Sequence, residues 1–230
     1  MMKESRVAWG LHIEATNDQF STEEIRLGPW TSYSMMHDPK HMAFVLARYK
    51  FCAKMLSGKQ RVLEVGCGDG FGAPIIAKEV GKLDCVDWEP RNVEGNRRRL
   101  PFLENVSFDV LDMSTQQPSV TYDAIFHIDV IEHLEPEFEG RFMANSMACL
   151  DRDGVLIVGT PNESASQYAT HRSDHQHINL KSADTLKSLM LRYFHNVFIF
   201  SMNDEVIHTG YYPMAHYLFA VGTGKRDGVS

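Results

Sequence analysis

Three residues of one short segment have the types and spacing to work together. In Asp129-Val130-Ile131-Glu132-His133-Leu134, the residues Asp129, Glu132 and His133 stand at i, i+3 and i+4, which puts them on one face of a helical turn. His177 follows in a polar, histidine-rich stretch, 163 to about 180, that also holds His175. An imidazole titrates near neutral pH, so His133, His127, His175 and His177 are each candidates to take a proton from an acceptor. Two carboxylates with imidazoles would also suit a divalent cation such as Mg, Mn, Zn or Fe. The plainer reading is that Glu132 and His133 hydrogen-bond and cap the start of a helix beneath a site.

A second constellation surrounds three glycines. Val62-Leu63-Glu64-Val65 reads as an apolar strand running into Gly66-Cys67-Gly68-Asp69-Gly70, and a helix follows from Pro74. Glycines let backbone N–H groups approach a ligand closely, because no side chain intervenes and positive φ is tolerated. Asp87 comes twenty-one residues after Gly66, at the end of the next strand, where a carboxylate can accept from both hydroxyls of a ribose. Both features point to a nucleoside ligand.

The G-x-G-x-G spacing, with Glu64 inside the preceding strand, resembles motif I of the class I S-adenosylmethionine-dependent methyltransferases. A dinucleotide-binding domain more often shows G-x-G-x-x-G, and an NAD-binding oxidoreductase is the weaker rival. The resemblance covers about residues 48 to 221 and is nearest to the small-molecule, ubiquinone-pathway-like enzymes. It extends to Asp112-Met113, the Asp129–Leu134 segment and Thr160-Pro161-Asn162, although Asp153 stands where that family's block has its first glycine. It implies S-adenosylmethionine as cofactor, with Glu64, Gly66, Gly68 and Gly70 at the turn, Asp87 at the ribose and Trp88 as a further cofactor contact. Asp112 and Met113 would meet the adenine, Ile128 would lie near the reacting end, and Arg48 would hold the methionine carboxylate. The acidic–Glu-His set with a downstream histidine is similar to that of small-RNA 2′-O-methyltransferases, which implies Asp129, Glu132, His133 and His177 as metal ligands.

The elements that must position these groups follow from the pattern. A helix is expected from about Lys40 to Leu56, with strands at Lys82–Asp87, Val106–Val110, Tyr122–Ile128 and Val155–Asn162. Asp151–Gly154 reads as a turn, Ser182–Tyr193 as a helix, and Val197–Met202 and His216–Val221 as closing strands joined by a loop, Asn203 to Met214. Strand–helix units in this order imply an α/β, Rossmann-like fold with a mostly parallel sheet. By resemblance it is seven-stranded with a last antiparallel strand. Residues 1–57 form an N-terminal arm and helix, irregular to about residue 37, and the arm is expected to serve as a substrate lid. Trp30 and Tyr33 on the arm, and Tyr211 and Tyr212 on the closing loop, are candidate substrate contacts beside His175.

The 230 residues, 43% hydrophobic and 23% charged, suit one α/β domain with some extra structure. A net charge of −7 argues against duplex DNA or long RNA as the main partner. The four cysteines are scattered, with no C-x-x-C pair, which fits reduced buried thiols. No run approaches a membrane span, and a cytoplasmic protein is expected. Its expected partners are a small-molecule acceptor and, at most, a second copy in a homodimer. The function expected is methyl transfer to an oxygen or nitrogen of a small metabolite or sugar. A metal-dependent RNA 2′-O-methyltransferase and a non-catalytic, S-adenosylmethionine-binding partner subunit are the alternatives.

Overall fold

The computed structural model describes residues 24–168 and 176–228. His175, a candidate substrate contact, lies outside the described residues. Among the described residues the first elements are helix α1, Pro29–His37, and helix α2, Pro39–Leu56. Residues 1 to about 37 were expected to be irregular, with Gly28-Pro29 as a breaker; residues 1–23 lie outside the described residues. Proline instead occupies the first helical position of α1, where its missing N–H costs nothing and its fixed φ suits the helix.

Strand β1, Arg61–Val65, leads through the glycine turn to α3, Ala73–Ala77. Then come β2, Lys82–Asp87; α4, Pro90–Arg99; β3, Val106–Val110; and β4, Tyr122–Ile128. A single 3₁₀ turn, Ile131–His133, precedes α5, Pro136–Cys149, and β5, Leu150–Pro161. Helix α6, Ala183–Leu191, is followed by β6, Phe194–Asn203; β7, Val206–His208; and β8, Tyr217–Lys225. A capping box between Ser182 and Thr185 fixes the start of α6.

The strands form one sheet in the order β3-β2-β1-β4-β5-β8-β6-β7. From β3 to β5 all pairings are parallel; β8 inserts antiparallel between β5 and β6. Among the described residues the sheet therefore has eight strands, where seven were expected. The extra one, β7, is a three-residue hairpin partner for the end of β6, cut from the segment read as a loop. Asp151–Gly154, expected as a turn, belongs to β5 and bulges out between the pairs Tyr122–Leu150 and Ala124–Val155.

Helices cover both faces of the sheet. On one face Tyr49, Cys52 and Leu56 of α2 and Ile76 of α3 pack with Val62, Phe126 and Phe219. On the other, Phe142, Met143 and Met147 of α5 and Leu186 and Met190 of α6 pack with Leu63, Ile125 and Leu156. Burial on both faces explains why the central strands read as near-continuous apolar runs. Each such leucine or phenylalanine contributes roughly 1.5–3 kcal/mol by leaving water. The C-terminal ends of β1, β2, β4 and β5 thus lie along one edge, the place where open α/β sheets bind ligands.

Candidate active site

The glycine turn is shaped by backbone geometry and by what stands behind it. Gly66 has φ 76°, and a Cβ there would lie 2.4 Å from Val130 Cγ2, so a side chain is excluded on both counts. Gly68, with φ 49°, faces open space, and its N–H donates to Asp87 Oδ2 at 2.8 Å. Asp87 Oδ1 accepts from the Glu89 N–H at 2.9 Å. The carboxylate at the end of β2 therefore holds the turn and sits beside it, 5% exposed.

Two cavities meet at this turn. The first, of about 580 Å³, is walled by α1 and α2 and floored by the ends of β1 and β4. The second, of about 1120 Å³, runs along Asp87, Trp88, Asn92 and Leu134. Trp30, Gly66, Gly68, Asp129, His133 and Gln176 line both. A long ligand can therefore cross from one to the other beneath Trp30.

At the floor of the first cavity, Arg48 Nη1 donates to Asp129 Oδ2 at 2.7 Å, and its guanidinium lies 3.9 Å from the centre of the Tyr217 ring. Burial works against the charge of Arg48, but Asp129, Tyr217 and Glu132 together outweigh it and raise its pKa. Asp129 itself has φ 56°, so the segment turns sharply before the 3₁₀ turn begins. That bend overturns the expected single helical face. Asp129 points to Arg48, whereas Glu132, His133 and His177 bring their ligand atoms within 4.8 Å of one another. Among the described residues the metal-competent group is thus one carboxylate and two imidazoles, without Asp129.

That trio is held from behind. Thr160 Oγ1 donates to Glu132 Oε2 at 3.1 Å, while Glu132 Oε1, fully buried, has no hydrogen-bond partner. Burial, and then the Asp129 carboxylate, push the Glu132 pKa up. The Asn179 N–H donates to the Glu132 carbonyl, and the Asn179 side chain joins Glu139 and Lys181. This clamp sets Gln176 and His177 over His133, whose Nδ1 lies 2.9 Å from the Gln176 carbonyl oxygen. The two imidazole rings are 5.2 Å apart.

Other expected residues fall elsewhere. His127 is fully buried, packs edge-on against Phe142, and lines neither cavity. Strand alternation explains this: Ile128 faces the cavity, so its neighbour faces α5. Burial pushes the His127 pKa down to about 3, and it is no general base for this site. Glu64 also lines neither cavity; it lies beneath the turn, accepting from Tyr49 Oη at 2.8 Å and Cys85 Sγ at 3.2 Å. Asp112 Oδ1 accepts from the Ser114 N–H and hydroxyl, and Met113 is buried in the core. Trp88 is exposed along the second cavity. Tyr33 stacks near His37, while Tyr211 and Tyr212 lie at the same sheet edge; all three tyrosines are outside both cavities. The backbone around the tyrosine pair is tied to Asn162, whose Nδ2 donates to the Tyr212 and Ala215 carbonyls.

Among the cavity residues that the sequence did not point to is a histidine. His41 lines the first cavity, and burial, then Arg48, lower its pKa and favour the neutral imidazole. It stands seven residues before Arg48 on α2, a spacing that places both on one helix face. That spacing was the available signal.

Glu64 permits a pH prediction. Burial raises its pKa to about 7, and Asp87 adds to this. The folded state then holds a proton that the unfolded chain, with a normal carboxyl, has lost. Its contribution is fully present below the unfolded value of about 4.5, decreases as pH rises through about 7, and is constant above that, a span of at most about 3 kcal/mol. Glu64→Gln should flatten the stability profile between pH 5 and 7 in urea titrations. An unaltered profile would remove Glu64 as its source.

The parallel sheet with an inserted antiparallel strand and a glycine turn at its C-terminal edge defines a class I, Rossmann-like methyltransferase fold. The chain belongs to the methyltransferase-domain family, whose model matches residues 37–193, and its cofactor is S-adenosylmethionine. A probable S-adenosylmethionine-dependent methyltransferase of Mycobacterium tuberculosis, Rv3030, is 34% identical over 101 residues, covering 44% of this chain and 35% of that protein. A ubiquinone biosynthesis O-methyltransferase of Methylocella silvestris is 28% identical over 127 residues, covering 54% and 48%. The chain spans about a third to a half of the length of these relatives. Among solved structures, the methyltransferase domain of bacterial CtHen1 superimposes with a TM-score of 0.64 at 18% identity, covering 78% of this chain and 98% of that one. The N-methyltransferase NodS of Bradyrhizobium japonicum WM9, solved with S-adenosyl-L-homocysteine, gives 0.59 at 17% identity, covering 80% and 86%. Among the described residues, no helix is long and apolar enough to cross a membrane.

Proposed function

We propose that the protein transfers the methyl group of S-adenosylmethionine to an oxygen or nitrogen of a small metabolite or sugar. The observation that carries this reading is the pair of joined cavities, one bounded by Asp87 and the glycine turn, the other roofed by α1 and α2. The second cavity would take the nucleoside, with the ribose at Asp87. The first, at about 580 Å³, has the size of a small-molecule site and is lined by imidazoles. Arg48 lines this same cavity with its Nε unpartnered, which supports a contact with the methionine carboxylate.

The sulfonium already makes the methyl group electrophilic, so the protein must align the nucleophile and exclude water. Trp30, Met42 and Val45 would shield the reacting end, and His41, His133 or His177 would take the acceptor's proton. The orphaned Oε1 of Glu132 and the two imidazoles fit a divalent cation, which Glu132, His133 and His177 would hold. Bound there, the cation would lower the pKa of an acceptor hydroxyl.

The same trio favours a second reading, an RNA-end 2′-O-methyltransferase. The net charge of −7 counts against it. Methyl-labelled S-adenosylmethionine incubated with a fractionated extract distinguishes the two. Label in the small-molecule fraction is the expected outcome, and its loss with a chelator would establish the cation. Label confined to RNA would overturn the metabolite reading.

A further inference from the structure

The acid inside the glycine turn, Asp69, has no counterpart role in the nucleoside contacts, and its surroundings show another. Helix α1 starts without a side-chain cap, because its N-cap position is Gly28. The cap comes from elsewhere: Asp69 Oδ2 accepts from the Thr31 N–H at 2.8 Å. A carboxylate at a helix N-terminus satisfies an orphan donor and opposes the positive end of the helix dipole. Gly28 makes the approach feasible. A Cβ at residue 28 would stand 2.2 Å from Asp69 Cγ and 2.5–2.6 Å from its two oxygens. On the far side, Arg99 Nη2 lies 3.9 Å from Asp69 Oδ1. The Asp69 side chain is 4% exposed and sits between Gly68 and Gly70, in the turn that both cavities share.

We propose that Asp69 is a positioning residue that latches α1 onto the cofactor turn, so that Trp30 roofs the passage between the two cavities and retains the cofactor beneath it. The latch joins two parts of the chain 38 residues apart in sequence. Trp30 is adjacent to the latched Thr31 and lines both cavities, and Thr31 and Ser34 line the first. Opening the latch swings this wall away from the turn, and bound cofactor or its demethylated product can then leave. The proposal rests on S-adenosylmethionine occupying the joined cavities and is independent of the acceptor's identity.

Stopped-flow dissociation of S-adenosylhomocysteine tests it, with Asp69→Asn altering the turn side and Gly28→Ala altering the arm side. Residue 28 has φ −73°, so alanine there is unstrained and acts only through its clash with Asp69. Each variant is expected to release the ligand roughly tenfold faster, the scale of one charge-assisted hydrogen bond. The double variant should be no faster than the faster single one, because both break the same contact. Melting of the ligand-free proteins monitors folding, and if Asp69→Asn fails to fold, Gly28→Ala alone decides. Wild-type dissociation rates in Gly28→Ala would overturn the latch, as would additive effects in the double variant. Absence of binding in the wild type would instead refute the cofactor assignment beneath it.

Discussion

Replacing Asp87 with alanine is expected to lower the affinity for S-adenosylhomocysteine by roughly a hundredfold or more, the loss of two charge-assisted hydrogen bonds. Two effects add at this one carboxylate. It is the proposed partner of the ribose hydroxyls, and it already holds the turn through the Gly68 and Glu89 N–H groups. Alanine strands both donors beside the cavity. Asp87→Asn separates the contributions: it keeps one acceptor oxygen, but its amide must face either the Gly68 or the Glu89 donor. Asparagine should therefore fall between wild type and alanine in isothermal titration. An alanine variant that binds within threefold of wild type would remove Asp87 from the ribose.

The second large effect is expected at Arg48. Arg48→Ala removes the ion pair to Asp129 and the stacking on Tyr217 together. Breaking a buried pair leaves an uncompensated charge, at a cost of about 3–5 kcal/mol when both partners are fully enclosed. The Asp129 side chain is 35% exposed, so water reaches it and about 2–3 kcal/mol is the better expectation. The loss should appear as a lower denaturation midpoint. Turnover should fall further than stability accounts for, because Asp129 lines both cavities and loses its anchor. Arg48→Lys should restore part of the stability and little of the turnover, since an ammonium cannot stack as a planar guanidinium does. Equal recovery of both with lysine would show that only the charge at this position matters.

Much of the fold was legible because its signals are local. The run Val62-Leu63-Glu64-Val65 into Gly66 announced a strand and a turn, and φ values of 76°, 49° and 66° at Gly66, Gly68 and Gly70 bear out the conformational reason for glycine there. Where tertiary pairing competes with local preference, the reading failed. Asp151–Gly154 has turn composition, yet partners on both sides draw it into β5 as a bulge. Val206–His208 looked like loop until β6 supplied an edge to pair with.

The site divides in the same way. The cofactor motif could be read from sequence, since a glycine turn between a strand and a helix is specified by residues next to one another. Which acids and imidazoles share a space could not. His127 and Ile128 are neighbours in sequence and face opposite sides of the sheet. Asp129 leaves the expected ligand set because its backbone turns at positive φ and Arg48, 81 residues earlier, takes its carboxylate. His41 enters because α2 packs over the edge of the sheet, and Asp69 proves to be the cap of a helix 38 residues before it. By itself the sequence determined the class of fold and the cofactor, because both depend on short-range patterns of glycine, acid and apolar residues. The tertiary structure alone decided the partners of each charged group, because hydrogen bonds and ion pairs depend on proximity in space, which strand order and helix packing create.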